Sequence, residues 1–303
     1  MCLPGERLLK LVMAGLLCAA GCAPATTYRR TALIPMARPI TWDGRPAPTG
    51  SLRIEGAAEK TSVVRNLVPQ VGDTALNVST TMLDASAVMV IARGLELGAR
   101  YAYASYAWSA ETATGTMPLP SKKGVMGFGP EIRGALGFDG DQLMLGLAGN
   151  VLDYRIPTAY WALNGNCTPS PNCYDALGPT GTFGLVRYAL QSEGQLNRVA
   201  LNLGFFASEL LPNRKYGHLF AELNIHSGFK NAGFTDQTTG PALQDAGFIP
   251  ILGVGYGIEL GGVRSSIMVS HAFTSTDSPV QYGWSTLVIT AGGDIPLWHA
   301  AAN

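Results

Sequence analysis

Two histidine–serine neighbours, His226-Ser227 and Ser270-His271, are the residues of this chain whose types could supply a base and a nucleophile. Acyl transfer by such a pair needs the imidazole to take the hydroxyl proton, so both side chains must lie within hydrogen-bond reach. Both pairs fall in runs that alternate apolar and polar residues, a β pattern in which consecutive side chains point to opposite faces. Neither serine can hand its proton to its neighbour within such a strand, and no catalytic residue is expected. Gly253, Gly255 and Gly257 could suggest a phosphate loop, but Val254, Tyr256 and Ile258 alternate with them and no helix pattern follows. A dinucleotide fingerprint needs a turn that opens a helix. Glycines at every second strand position instead let a sheet bend and make room for large neighbours. No cofactor is implied.

The five cysteines are Cys2, Cys18, Cys22, Cys167 and Cys173. Arg7 and Lys10 make a basic start, Leu11 to Gly21 is an apolar run too short to span a bilayer as a helix, and Ala19, Ala20 and Gly21 are small. That is the architecture of an export signal, so residues 1–21 are expected to be removed. Ala19-Ala20-Gly21-Cys22 also resembles the lipobox of bacterial lipoproteins, with Ala19 standing where Leu is commoner. The resemblance implies that Cys22 becomes the first residue and carries a diacylglycerol, with the lipoprotein export machinery as a partner. Each buried methylene would add about 0.8 kcal/mol, and several chains make a stable anchor. Ala23 after the cysteine, rather than Asp, implies sorting to the outer membrane. The alternative is a plain signal peptide in which Cys22 is a small buried hydrophobe. Processing and lipidation would leave Cys167 and Cys173 as an even pair in an oxidising compartment, where a disulfide is expected. The residues between them, Thr168-Pro169-Ser170-Pro171-Asn172, are all turn formers. A metal site needs more ligands than this pair offers, and none is expected.

Lys+Arg and Asp+Glu each number 21, so the net charge is zero and the basic footprint of a nucleic-acid partner is missing. Charged residues are 14% of the 303, against roughly 25% in ordinary soluble domains. Gly is unusually frequent, at 37 residues. Pro24, Pro35, Pro39, Pro46 and Pro48 break any periodicity before Gly50, so residues 22–50 read as a lipidated cysteine followed by an extended tether, rising about 3.1 Å per residue. Residues 51–303 read as one β domain.

No later apolar run is long enough for a transmembrane helix. Strand patterns cover residues 85–93, 95–108, 125–138, 142–156, 180–190, 196–208, 217–229, 248–260, 263–275 and 283–297, with 52–55 and 75–80 as weaker candidates. The fold class is therefore all-β, an antiparallel up-and-down β-barrel of about 10–12 strands. Many runs match the roughly 9–11 tilted residues that cross a bilayer. Period two sorts the faces: Val199, Leu201, Leu203 and Phe205 oppose Arg198, Asn202, Gly204 and Ser208, and Leu219, Ala221, Leu223 and Ile225 oppose Glu222, Asn224 and His226. A soluble barrel alternates in the same way with the faces reversed in meaning. Polar faces rich in Gly and Ser, not Lys and Glu, favour a lumen over a water-facing surface. On those faces lie Glu96, Arg100, Glu131, Arg133, Glu222, Glu259 and Arg264. They could line a solute path, but charges of both signs in a narrow barrel favour a paired network that plugs it.

Short turns at Arg93-Gly94, Asp139-Gly140-Asp141 and Ser192-Glu193-Gly194 alternate with long loops until Lys230 to Gly247, which falls on the side of the short turns. Either one strand is missed or invented between Ser192 and Lys230, or the protein has long loops at both rims. Tyr101, Tyr103, Tyr106, Trp108, Tyr154, Tyr160, Trp161, Tyr188, Tyr282, Trp284 and Trp298 sit mostly near strand ends, as interfacial girdles would, or equally as sugar-stacking residues at a mouth would. Thr290, Gly292, Ile295 and Leu297 resemble the terminal-strand signal of outer-membrane barrels, interrupted by Pro296, and imply the barrel assembly machinery as a partner. The expectation is a lipid-anchored barrel in the cell outer membrane, in contact with its lipid, with a structural, surface or narrow-channel role. The alternative is a periplasmic lipoprotein whose soluble barrel holds an apolar ligand; no sequence feature names a solute.

Overall fold

A computed structural model describes residues 28–32, 36–68, 74–111, 120–122, 124–168, 170, 172–177, 185–212, 216–227, 235–238, 247–274 and 283–297. The export signal and Cys22 lie outside them. The strands are β1 (Tyr28–Ala32), β2 (Ser51–Thr61), β3 (Val64–Val68), β4 (Thr74–Ala92), β5 (Leu95–Glu111), β6 (Gly124–Phe138), β7 (Leu143–Leu163), β8 (Cys173–Leu177), β9 (Leu185–Leu210), β10 (His218–Ser227), β11 (Thr235–Thr238), β12 (Phe248–Leu260), β13 (Val263–Ala272) and β14 (Trp284–Pro296). Ten of them, β2, β4, β5, β6, β7, β9, β10, β12, β13 and β14, pair antiparallel in that order, and β14 pairs back with β2 to close a barrel. Closure leaves no open edge, which a sheet with an apolar outer face requires.

The expected runs at 75–80 and 85–93 are one strand, β4, and those at 180–190 and 196–208 are also one, β9. Ser192, Glu193 and Gly194, read as a turn in the sequence, are extended and pair with Tyr160, Ala159 and Thr158 of β7. Gln191 is passed over in the register, a one-residue bulge that absorbs the local irregularity. A neighbour offering ladder partners on both sides of the segment outweighs its turn propensity. With β9 continuous, the phase slip disappears. The connections at 93–94, 139–142, 211–217 and 261–262 all lie at one rim, and every long connection lies at the other. At the short-turn rim Gly261 and Gly262 have φ of 59° and 83°, as a two-residue type I′ hairpin turn demands.

The outer face of the barrel is apolar. Val254 is 66% exposed and Val269 54% exposed, and Val199, Leu201, Leu219, Leu223 and Ile289 are exposed beside them, while Asn202, Glu222, Asn224 and Ser270 are buried inside. The glycines of β12 serve the inner face. Gly253, Gly255 and Gly257 sit in register with Glu222, Phe220 and His218 of β10. A Cβ on each would come within 2.7, 2.4 and 2.4 Å of those side chains, so the glycines are recesses that seat them.

Residues 36–50, which the proline pattern marked as tether, run through the barrel interior. β1 pairs antiparallel with Thr158 to Ala162 at the long-loop end of β7. Further along, Met36 and Ala37 pack with Ile249, Ile251, Ala272 and Trp284, again near that rim. Ile40 and Trp42 pack deeper, against Ala148 and Phe206. Arg45 donates to the Asp141 carbonyl at the short-turn rim, 2.6 Å away, and Gly50 donates to the Val90 carbonyl beside it at 3.0 Å. The apolar residues among these prolines find their cover only inside, and a ten-stranded barrel is wider than the eight-stranded size that wall side chains alone fill.

Candidate functional site

The lumen holds one continuous chain of ion pairs. Starting from the threaded segment, Arg38 meets Asp84 at 2.6 Å, and Asp84 meets Arg100 at 2.8 Å. Arg100 then grips Glu131 through two hydrogen bonds of 2.9 Å, and Glu131 meets Arg133 at 3.0 Å. Arg133 reaches Glu55 at 2.6 Å and Glu96 at 3.5 Å. Arg53 lies 3.4 Å from Glu96 and 3.0 Å from Asp294, and Arg264 bridges Asp294 at 3.4 Å to Glu259 at 3.3 Å. Alternating strand positions aim each of these wall residues inward, and bidentate guanidinium–carboxylate geometry suits them to a site closed to water.

The threaded segment is stitched into this chain. Thr41 Oγ1 accepts from Arg100 at 2.5 Å, the Ala47 amide donates to Glu96 at 2.8 Å, and the Arg45 carbonyl accepts from Arg53 at 2.7 Å. Trp42 covers Arg133, whose guanidinium carbon lies 5.8 Å from the indole centre. Asp43 lies 3.2 Å from His218 Nε2. The lumen is thus filled by its own chain, which joins the ion pairs of the wall.

Among the charged residues singled out from sequence, Glu96, Arg100, Glu131 and Arg133 are brought together at the centre of the network. Arg264 and Glu259 stand at its short-turn end, with the Glu259 side chain 53% exposed. Glu222 is buried but forms no ion pair among the described residues, and lies on the wall that carries Asn224 and Ser270. Sequence reasoning missed Arg38, Arg53, Glu55, Asp84 and Asp294. Arg53 and Glu55 alternate with Leu52 and Ile54 in a run of only four residues, and Asp84 falls in the gap between the runs at 75–80 and 85–93 that β4 joins. Arg38 carried no periodic signal.

His226 is fully buried, faces Asn202, and Asn202 donates to Asn150 at 2.7 Å. Ser270 also points inward, while His271 is on the other face with Ser285 Oγ at 3.1 Å from its Nδ1. Cys167 forms a disulfide with Cys173, the first residue of β8, which pairs antiparallel with the long-loop end of β9. The aromatic girdle is a correction. Tyr106, Tyr154, Trp161, Tyr188 and Trp284 are buried, and Trp161 donates to Thr31 of β1 at 2.9 Å. Their rings seat the inserted segments, and of that set Tyr101 and Tyr103 take the outward positions of β5, alternating with buried Ala102 and Ala104. Ile295 and Leu297 of the terminal signal are exposed on the outside.

No family model matches the chain, and no curated protein does. Among solved structures it is similar to an outer membrane channel from Pseudomonas putida F1, at 9% identity over 85% of this chain and 100% of that one, with a TM-score of 0.44. It is also similar to the translocator domain of the autotransporter NalP from Neisseria meningitidis, at 14% identity over 95% and 94% of the two chains and a TM-score of 0.38. The Pseudomonas putida toluene transporter TodX follows at 10% identity over 82% and 89%, with a TM-score of 0.32. At such values no activity passes from these proteins to this chain, and its architecture rests on its own strand pairings.

Proposed function

We propose that this chain is a lipid-anchored outer-membrane β-barrel, with its apolar face against lipid and its lumen filled by residues 36–50. Its role is structural or at the cell surface, and conduction is limited to the narrow space beside the filling segment. One observation carries the reading: the closed barrel turns its apolar residues outward and its charges inward. Exposed Val, Leu, Ile and Phe from all sides of the barrel would cost a water-soluble protein heavily, whereas a bilayer covers them. The barrel strands, from 10 to 26 residues long, are sufficient to cross. The soluble alternative needs an apolar cavity, and this interior is charged and occupied. The anchor on Cys22 follows from the lipobox resemblance.

Alkaline carbonate extraction of membranes after proteolytic release of any tether tests the span, since a barrel in lipid stays in the pellet and a soluble domain leaves it. Palmitate labelling tests the anchor: uptake lost in Cys22→Ala supports it, and no uptake in the wild type refutes it. In planar bilayers the purified chain is expected to show no sustained large conductance steps; stable open-pore steps would refute the filled lumen.

A further inference from the structure

We propose that the N terminus of the mature chain stands at the cell surface, so that a lipid on Cys22 is held in the outer leaflet of the outer membrane. This rests on the reading of the chain as an outer-membrane barrel. It goes beyond that reading by naming the leaflet, and it makes the threaded segment part of the protein's route to the surface.

The direction of threading carries the inference. β1 runs antiparallel to β7, with Tyr28 opposite Ala162 and Ala32 opposite Thr158, so it descends from the long-loop rim. It is held there by β11 on its other edge as well as by Trp161. The chain then passes Trp284, whose indole donates to the Ala37 carbonyl at 3.2 Å, then Asp84 and Arg100 at mid-height, and then Asp141 at the short-turn rim. Gly50 is pinned at that rim between Val90 and Leu297, and β2 turns back up into the wall. The two described ends of the chain therefore lie at opposite rims, with β14 ending beside Ser51 at the short-turn rim.

Outer-membrane barrels place short turns in the periplasm and long loops outside. Tyr28 is thus outside. Tyr28 lies only six positions after Cys22, a reach of at most about 20 Å even when fully extended. The hydrocarbon layer is about 30 Å thick, so acyl chains on Cys22 fall short of the periplasmic leaflet but reach the outer one. The contacts of Arg38, Thr41 and Ala47 with Asp84, Arg100 and Glu96 fix the descent of the threaded segment, so a periplasmic anchor would require the six steps from Cys22 to Tyr28 to cross the whole layer.

The test places single cysteines in a Cys167→Ser/Cys173→Ser background, at Thr26→Cys, at Thr114→Cys in the long connection after β5, and at Ala302→Cys. Intact cells are treated with a membrane-impermeant maleimide, with and without permeabilisation of the outer membrane. Labelling of positions 26 and 114 on intact cells, with position 302 labelled only after permeabilisation, is the expected result. Position 114 labelled and position 26 protected until permeabilisation would overturn the threading while leaving the barrel and its orientation intact. Position 302 labelled on intact cells and 114 protected would overturn the orientation and the proposal with it. An epitope inserted between Ala25 and Thr26, detected by antibody on intact cells, gives the same answer without relying on thiol reactivity.

Discussion

Arg100→Met is the perturbation that most directly tests whether the lumen is a paired network. The Arg100 guanidinium donates twice to Glu131 at 2.9 Å, once to Asp84 at 2.8 Å and once to Thr41 at 2.5 Å. Methionine approximates the aliphatic stem and removes the charge, leaving the network one positive charge short of its original balance. Removing one partner of a buried ion pair costs about 3–5 kcal/mol. Here Asp84 keeps Arg38 at 2.6 Å and Glu131 keeps Arg133 at 3.0 Å, so the lower end, about 3 kcal/mol, is expected. Equilibrium urea unfolding in detergent micelles, followed by the fluorescence of buried Trp42, Trp161 and Trp284, measures it. Glu131→Leu and the double variant complete a thermodynamic cycle. The double variant restores charge balance, so it is expected to be more stable than the sum of the single losses by about 1 kcal/mol or more. A loss below about 1 kcal/mol for Arg100→Met would place the pair at the level of exposed ion pairs. That result, or strict additivity in the cycle, would refute a dry, interlocked lumen.

Val269→Arg on the outer face is expected to cost about 2–4 kcal/mol near the bilayer midplane and to reduce assembled barrel on unheated gels. Spin labels at Val254 and Val269 in membranes should show high access to oxygen and low access to a water-soluble relaxant; low access to both would mean a packed protein interior and end the membrane reading. Gly255→Ser, which the strand pattern alone would rate as mild, should instead destabilise by about 1–3 kcal/mol, because a Cβ there meets Phe220 at 2.4 Å and the Ile267 carbonyl at 2.8 Å; a neutral effect in urea unfolding would contradict the close approach of β12 to β13. Loss of the Cys167–Cys173 bridge, whose sequence separation is six, should cost no more than about 2 kcal/mol. The double serine variant is expected to assemble normally, and failure to assemble would show that the bridge holds the barrel and not only its rim.

Period two in the sequence was enough to establish an all-β body, to sort Val199, Leu201 and Leu203 from Asn202 and Ser208, and to put Glu96, Arg100, Glu131 and Arg133 on one face. Alternation is a property of the strand itself and needs no partner to be read. The Cys167–Cys173 pairing was legible for a similar reason, since both cysteines flank one short run of turn formers. Which face turns outward was decided only by closure, because alternation is the same whether the apolar side turns in or out. The extended path through Ser192-Glu193-Gly194 was likewise hidden, because the ladder that overrides their turn propensity comes from β7, some thirty residues earlier in the chain. The threaded segment was the least legible part. Arg38, Thr41 and Trp42 sit among prolines with no period, and their partners Asp84, Arg100 and Phe206 lie far along the chain. Filling a lumen depends on the space the barrel leaves and on charges that converge only when ten strands close around it, and neither is a local property of sequence.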